Sequence, residues 1–240
     1  ISGNKEIWVP QLKIFSKQFR TISWDARGYG QSKPIKNSFN FGQFTSDLYE
    51  LIQHLELDKI ILCGHSMGGR IALDFAEAHP SMVGSLILVN TFFGYDESFT
   101  KTQRLGFLEK RKKLLIDDGL TLREFGEKVI PQMVGPNANS VVESKILETI
   151  LTLNVESYLN TAESMVMYEK ICDLASIDAP TLIITGSKDT ISPPEISIQM
   201  NKRITNSELL VVEEAGHFVN LESPKLFNEG VLDFLNKVKF

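Results

Sequence analysis

The segment Gly64-His65-Ser66-Met67-Gly68 has the form G-x-S-x-G, between an apolar run and a helical stretch. That spacing suits a very sharp strand-to-helix turn. Gly64 and Gly68 are expected to leave room for close backbone packing, and the serine is pushed into a strained position above the sheet. Its Oγ would stand at a helix N-terminus, where backbone N–H groups and the dipole favour a developing negative charge. A serine hydroxyl is a weak nucleophile until a base takes its proton. His217, in Glu214-Ala215-Gly216-His217-Phe218, is the candidate base. His65 is too close along so tight a turn to fold back onto Ser66, and is read as a packing residue. His54 and His79 fall late in helices, where positive charge suits the helix end. A third group must fix the histidine tautomer and stabilise the imidazolium. Asp189 closes Thr185-Gly186-Ser187-Lys188-Asp189, whereas the strand over residues 85–89 ends in Asn90-Thr91 with no carboxylate. The chain order Ser66, Asp189, His217 is that of triads built on such an elbow. The competing reading, an ordinary Gly/Ser turn and a surface histidine, leaves this order and spacing to coincidence.

Such groups meet only if several strands end on the same side of one sheet. Short apolar runs predict strands over 20–24, 59–63, 85–89, 181–185 and 209–213. Helical periodicity follows over 45–55, with Thr45 as N-cap, over 68–79, closed by Pro80, and over 224–238. Alternation of strand and helix implies a mostly parallel α/β sheet with helices on both faces. From about Tyr95 to Ala175 there is only helical periodicity, with a capping-box pattern at Thr121–Glu124. That stretch reads as a helical cap inserted between two strands. The expected organisation is a core domain over 1–92 and 176–240 with a cap over 93–175. Apolar cap residues such as Phe107, Met133, Leu159, Met165 and Met167 either line a pocket or form the cap's own core.

With these pieces in view, the chain resembles the α/β-hydrolase fold superfamily from Trp8 to its end. The matching segments are Asp25-Ala26-Arg27-Gly28-Tyr29-Gly30-Gln31-Ser32, Gly64 to Gly69, Gly186-Ser187-Lys188-Asp189 and Gly216-His217-Phe218. The resemblance implies that the cap follows the sixth strand, and that Asp25 and Arg27 shape the floor of the site. It also implies an oxyanion hole. Family members carry a His-Gly pair ahead of a segment like Ile1 to Trp8, and no such pair occurs here. By that match the backbone N–H of Ile1 would act with that of Met67, and the N-terminal strands would be missing from the chain as given. The Ser-Met-Gly-Gly elbow and Asp173 to Pro194 are most similar to small-molecule esterases and 3-oxoadipate enol-lactonases. The reaction implied is hydrolysis of a small-molecule ester or lactone through an acyl-enzyme, with no cofactor and no metal. The alternatives are a carbon–carbon bond hydrolase, a menaquinone-pathway-type lyase, or a non-catalytic ligand receptor on the same fold. Arg70, one turn into the helix after Ser66, would bind a substrate carboxylate in the lyase reading; otherwise it pairs with a neighbouring acid.

Bulk properties narrow the partners. The net charge is −5, and the basic run Lys110-Arg111-Lys112-Lys113 sits beside Glu109, Asp117 and Asp118. It reads as the wet face of a helix, so nucleic acid is not expected as a partner. No apolar run approaches the roughly 18 residues of a membrane span. Two cysteines cannot form a disulfide framework, and Cys63, in an apolar run, reads as a core residue; a reducing, cytoplasmic setting fits. The four histidines lack metal-ligand spacing.

Overall fold

The computed structural model describes residues 1–36, 39–95, 100–136 and 138–238. Its helices and strands follow in chain order as α1 (Val9–Phe15), α2 (Gln43–His54), β1 (Ile60–His65), α3 (Met67–Ala78), β2 (Val83–Val89), α4 (Lys101–Lys112), α5 (Leu122–Val129), α6 (Ser140–Ile150), α7 (Val155–Val166), β3 (Thr181–Gly186), α8 (Pro194–Arg203), β4 (Ser207–Val212), α9 (Val219–Glu222) and α10 (Pro224–Lys237). They form two compact units, Ile1–Gln43 with Tyr95–Gln132 and Asn139–Lys170, and Phe44–Gly94 with Met133–Ala138 and Ile171–Phe240.

The second unit holds the sheet. Its four strands run parallel in the order β1-β2-β3-β4, with Leu88 opposite Ile183 and Ile183 opposite Leu209. Parallel neighbours need a crossover each time. The chain supplies α3 between β1 and β2, and α8 between β3 and β4. Helices cover both faces, α3 packing on β1 and β2, and α8 and α10 on β3 and β4. β2 and β3 are buried along their whole length, as their mostly apolar sequences require of strands covered on two faces. Cys63 differs from expectation, for it is exposed. It lies on β1, which among the described residues pairs with β2 alone. Thr45 also moves, lying inside α2, because the turn before the helix is made by Asn40, which accepts from Gly42 N–H at 2.9 Å.

The first unit is helical among its described residues. α4 and α5 both open on capping boxes, at Thr100 with Gln103 and at Thr121 with Glu124. Leu108, Ala162 and Val166 make a small apolar cluster, with Ile1 and Phe107 packed against it. Arg104 braces α4 to the end of α7, donating to the Val166 carbonyl at 2.9 Å and pairing with Glu169. Within the basic run, Lys112 and Lys113 pair with Glu163 and Asp118, while the Arg111 guanidinium lies 3.7 Å over the Phe107 ring. The strand expected over 20–24 does not form. That segment pairs with no strand among the described residues, and Ile22 is 46% exposed. Apolar residues alone make no strand; a ladder partner is needed to take the backbone hydrogen bonds. Downstream, the Asp25 carboxylate accepts from Lys5 N–H (2.8 Å) and Gln31 N–H (2.9 Å), which makes it a loop organiser.

Candidate active site

The site is built where strands of the second unit end. Ser66 sits between β1 and α3 with φ 53° and ψ −120°, a strained conformation for a residue bearing a side chain. Three contacts hold it there. Ser66 N–H donates to the Val89 carbonyl at 2.9 Å, its carbonyl accepts from the first turn of α3, and the Thr91 hydroxyl donates to that carbonyl at 2.6 Å. The turn is tight because Gly64 lies against the backbone of Gly68 and Gly69 against the side chain of Thr91, leaving no space for a Cβ at either. Gly68 departs from expectation. A Cβ there would meet nothing within 4 Å, so the room is needed on the strand side and one residue further on. Met67 is the first residue of α3, and its N–H therefore has no acceptor within the helix.

His217 follows β4 on a loop, with Nε2 2.9 Å from Ser66 Oγ and Nδ1 2.9 Å from Asp189 Oδ2. A carboxylate only accepts, so Nδ1 carries the proton and the Nε2 lone pair faces the serine. Asp189 and His217 are 3% and 2% exposed, which shields their pair from water. Asp189 takes four donors. Oδ2 accepts from His217 and from Asn90 Nδ2 at 2.8 Å, and Oδ1 accepts from Ile191 and Ser192 N–H at 2.8 and 3.1 Å. Burial by itself pushes the Asp189 carboxyl up. The charge of a protonated His217, with the bonds from His217, Asn90 and Ser192, outweighs it and holds the carboxyl below its ordinary value. Asp189 therefore stays ionised and acceptor-only at neutral pH.

His65 lies against His217. Its Nε2–H donates to the His217 carbonyl at 2.6 Å, and its ring packs against those of His217 and Phe218. Burial, and then repulsion from His217, push its pKa down to about 3, so it is a neutral brace. Arg70 is 1% exposed, and its guanidinium pairs with Asp74 one turn along α3 at 3.1 Å. Ile1 lies in the helical unit, against the Leu108 cluster. Two residues that sequence reasoning passed over belong to the site. Asn90, with φ 44° at the end of β2, holds Asp189. Glu222, on α9, accepts backbone N–H groups on both sides of His217. Asn90 had a signal, being polar at the end of a fully buried strand; Glu222 had none. Among the described residues no cluster of metal-ligating side chains occurs, and no helix is long and apolar enough to cross a membrane.

A serine held in a strained elbow, with histidine and aspartate arriving from later strand ends of a parallel sheet, defines a hydrolase class. The chain belongs to the alpha/beta hydrolase fold family, whose sequence pattern matches residues 1–224, and it is an enzyme of that family. Among its relatives is the (E)-2-((N-methylformamido)methylene)succinate hydrolase of Acinetobacter baylyi, 28% identical, with 96% of this chain and 85% of that one covered. A thermophilic esterase from Thermogutta terrifontis, solved with malate bound, is 30% identical and superposes with a TM-score of 0.87 over 99% of this chain and 87% of its own. The enol-lactonase of Burkholderia xenovorans LB400, 23% identical over 98% and 88% of the two chains, shares the fold with a TM-score of 0.84.

Proposed function

We propose that this protein is a serine hydrolase that cleaves a small-molecule carboxylic ester or lactone through an acyl-enzyme. The observation that carries the reading is the Ser66–His217–Asp189 relay, 2.9 Å at each link, in the one tautomer that leaves a lone pair facing Ser66. His217 takes the hydroxyl proton as Ser66 Oγ bonds to the carbonyl carbon. The resulting oxyanion is held by the N–H of Met67, which has no acceptor within α3. His217 then gives its proton to the departing alkoxide, and the acyl group stays on Ser66. Water, deprotonated by His217, attacks the acyl-enzyme and releases the acid and the serine. The chemistry needs no metal and no organic cofactor. We assign residues 93–175 the role of a cap that sets the substrate.

The relatives support a small acyl substrate, since one is named a succinate-derivative hydrolase and another an esterase. The lyase alternative drew on a carboxylate-binding Arg70. With that side chain 1% exposed and paired with Asp74, we give it a structural role in α3. A panel of short-chain p-nitrophenyl esters, lactones and vinylogous diketones tests the reading. The expected result is turnover of esters or lactones with a burst of nitrophenol near one per chain when deacylation is slow. Turnover of the diketones alone would overturn it in favour of carbon–carbon cleavage. No turnover with tight binding would make the protein a receptor.

A further inference from the structure

Three consecutive backbone N–H groups around His217 have fixed acceptors. Gly216 N–H donates to Glu222 Oε2 at 2.9 Å, and Phe218 N–H to Glu222 Oε1 at 3.0 Å. His217's own N–H donates to the Met133 carbonyl at 2.7 Å. The Met133 segment is tied to the same carboxylate, because Gly135 N–H donates to Glu222 Oε2 at 2.7 Å. Gly135 and Gly216 lie so close that a Cβ on either would run into the other strand of backbone. Bonds from N–H groups to an ionised carboxylate are charge-assisted, roughly twice as strong as neutral ones.

We infer that Glu222 is a positioning residue for His217, an inference that rests on His217 being the base of the proposed hydrolase. Clamping the peptides on both sides of His217 fixes the direction of its Cα–Cβ bond. The imidazole then has only two torsions left, and its two nitrogens must meet Asp189 and Ser66 at once, each at 2.9 Å. A plain helix-capping role does not account for the pattern. The Phe218 bond falls at the start of α9, but the bonds from Gly216 and Gly135 serve no helix.

The test is Glu222→Gln in the full chain. An amide has one accepting oxygen, so it serves either Phe218 or the Gly135–Gly216 pair and turns its NH₂ donors on the other. The expected result is a kcat lower by about 10- to 100-fold, the scale of a misplacement near 1 Å, with KM within about twofold of wild type. A fluorophosphonate should still label Ser66 to one per chain, at a rate lowered by the same factor. Glu222→Asp keeps the charge with a shorter reach and should recover part of the lost kcat. A lowered melting temperature with wild-type kcat per labelled site would overturn the inference and leave Glu222 a cap. If Glu222→Gln is insoluble, Glu222→Asp decides by the same criterion: a kcat loss at constant KM supports positioning, and wild-type kcat refutes it. Ser66→Ala, run in parallel, separates the two claims, because turnover surviving in that variant refutes the hydrolase mechanism itself.

Discussion

Replacing Asp189 by Asn changes two atoms' chemistry and almost no volume, so its effect can be worked from the hydrogen bonds. Oδ1 accepts from Ile191 and Ser192 N–H, and these donors cannot be turned round. The amide oxygen of an asparagine must therefore take that side, which places its NH₂ where Oδ2 met His217 Nδ1 and Asn90 Nδ2. Facing a donor, His217 is driven to the tautomer with a bare Nδ1 and a proton on Nε2. That proton points at Ser66 Oγ, and the lone pair that should accept the hydroxyl proton is gone. Wrong-tautomer variants of Ser–His–Asp enzymes lose about 10⁴ in kcat, or about 5.5 kcal/mol of barrier at 1.36 kcal/mol per tenfold. Folding should suffer much less. Two of the four bonds survive, and the facing Asn90 amide can be relieved by turning over, for a cost of about 1–3 kcal/mol. Steady-state kinetics with a p-nitrophenyl ester, alongside urea unfolding, read both quantities. A variant within tenfold of wild-type kcat would refute the assignment of Asp189 as the tautomer-fixing group.

Two further variants probe the elbow and its brace. Gly68→Ala should change stability by no more than about 1 kcal/mol, in the stabilising direction if helix propensity decides, since its Cβ meets open space; Gly64→Ala should cost about 1–3 kcal/mol or more, since its Cβ meets the Gly68 backbone. Urea midpoints check this, and equal costs at the two positions would contradict the packing described for the turn. His65 is neutral in the folded protein, with its pKa lowered from 6.5 to about 3. Between those values the unfolded chain binds the extra proton, so stability rises with pH across that window and falls as the solution is acidified from about 6.5 towards 3. His65→Gln should flatten that part of the stability–pH curve, and an unchanged slope would mean that the fold does not hold His65 as a neutral ring.

The sheet and the meeting of Ser66, Asp189 and His217 were legible because each rests on local signals. The short apolar runs 86–89 and 182–184 gave β2 and β3, which are buried along their length. The Gly64-x-Ser66 spacing gave the turn, and the chain order gave the partners. What sequence reading missed depends on pairing between distant residues. The run Arg20–Trp24 has strand-like composition but no ladder partner among the described residues, and composition says nothing of partners. Gly68 was credited with a close approach that belongs to Gly69, because the rotation of α3 against Thr91 is not encoded in the five-residue motif. Glu222 lies five residues beyond His217, next to Ser223-Pro224, where an acid reads as an ordinary helix-end charge. Its role becomes visible only when Gly135 is brought from 87 positions away onto the same oxygen.

The measurement closest to the central claim is the site of covalent capture. After brief exposure to a fluorophosphonate, tryptic digestion and mass spectrometry should find a single adduct, on Ser66 in the peptide Ile60–Arg70. Ser66→Ala should carry no adduct and should lose on the order of 10⁶ in kcat, the scale on which triad enzymes depend on their nucleophile. An adduct on another residue, or an alanine variant that keeps turning over ester, would contradict the account.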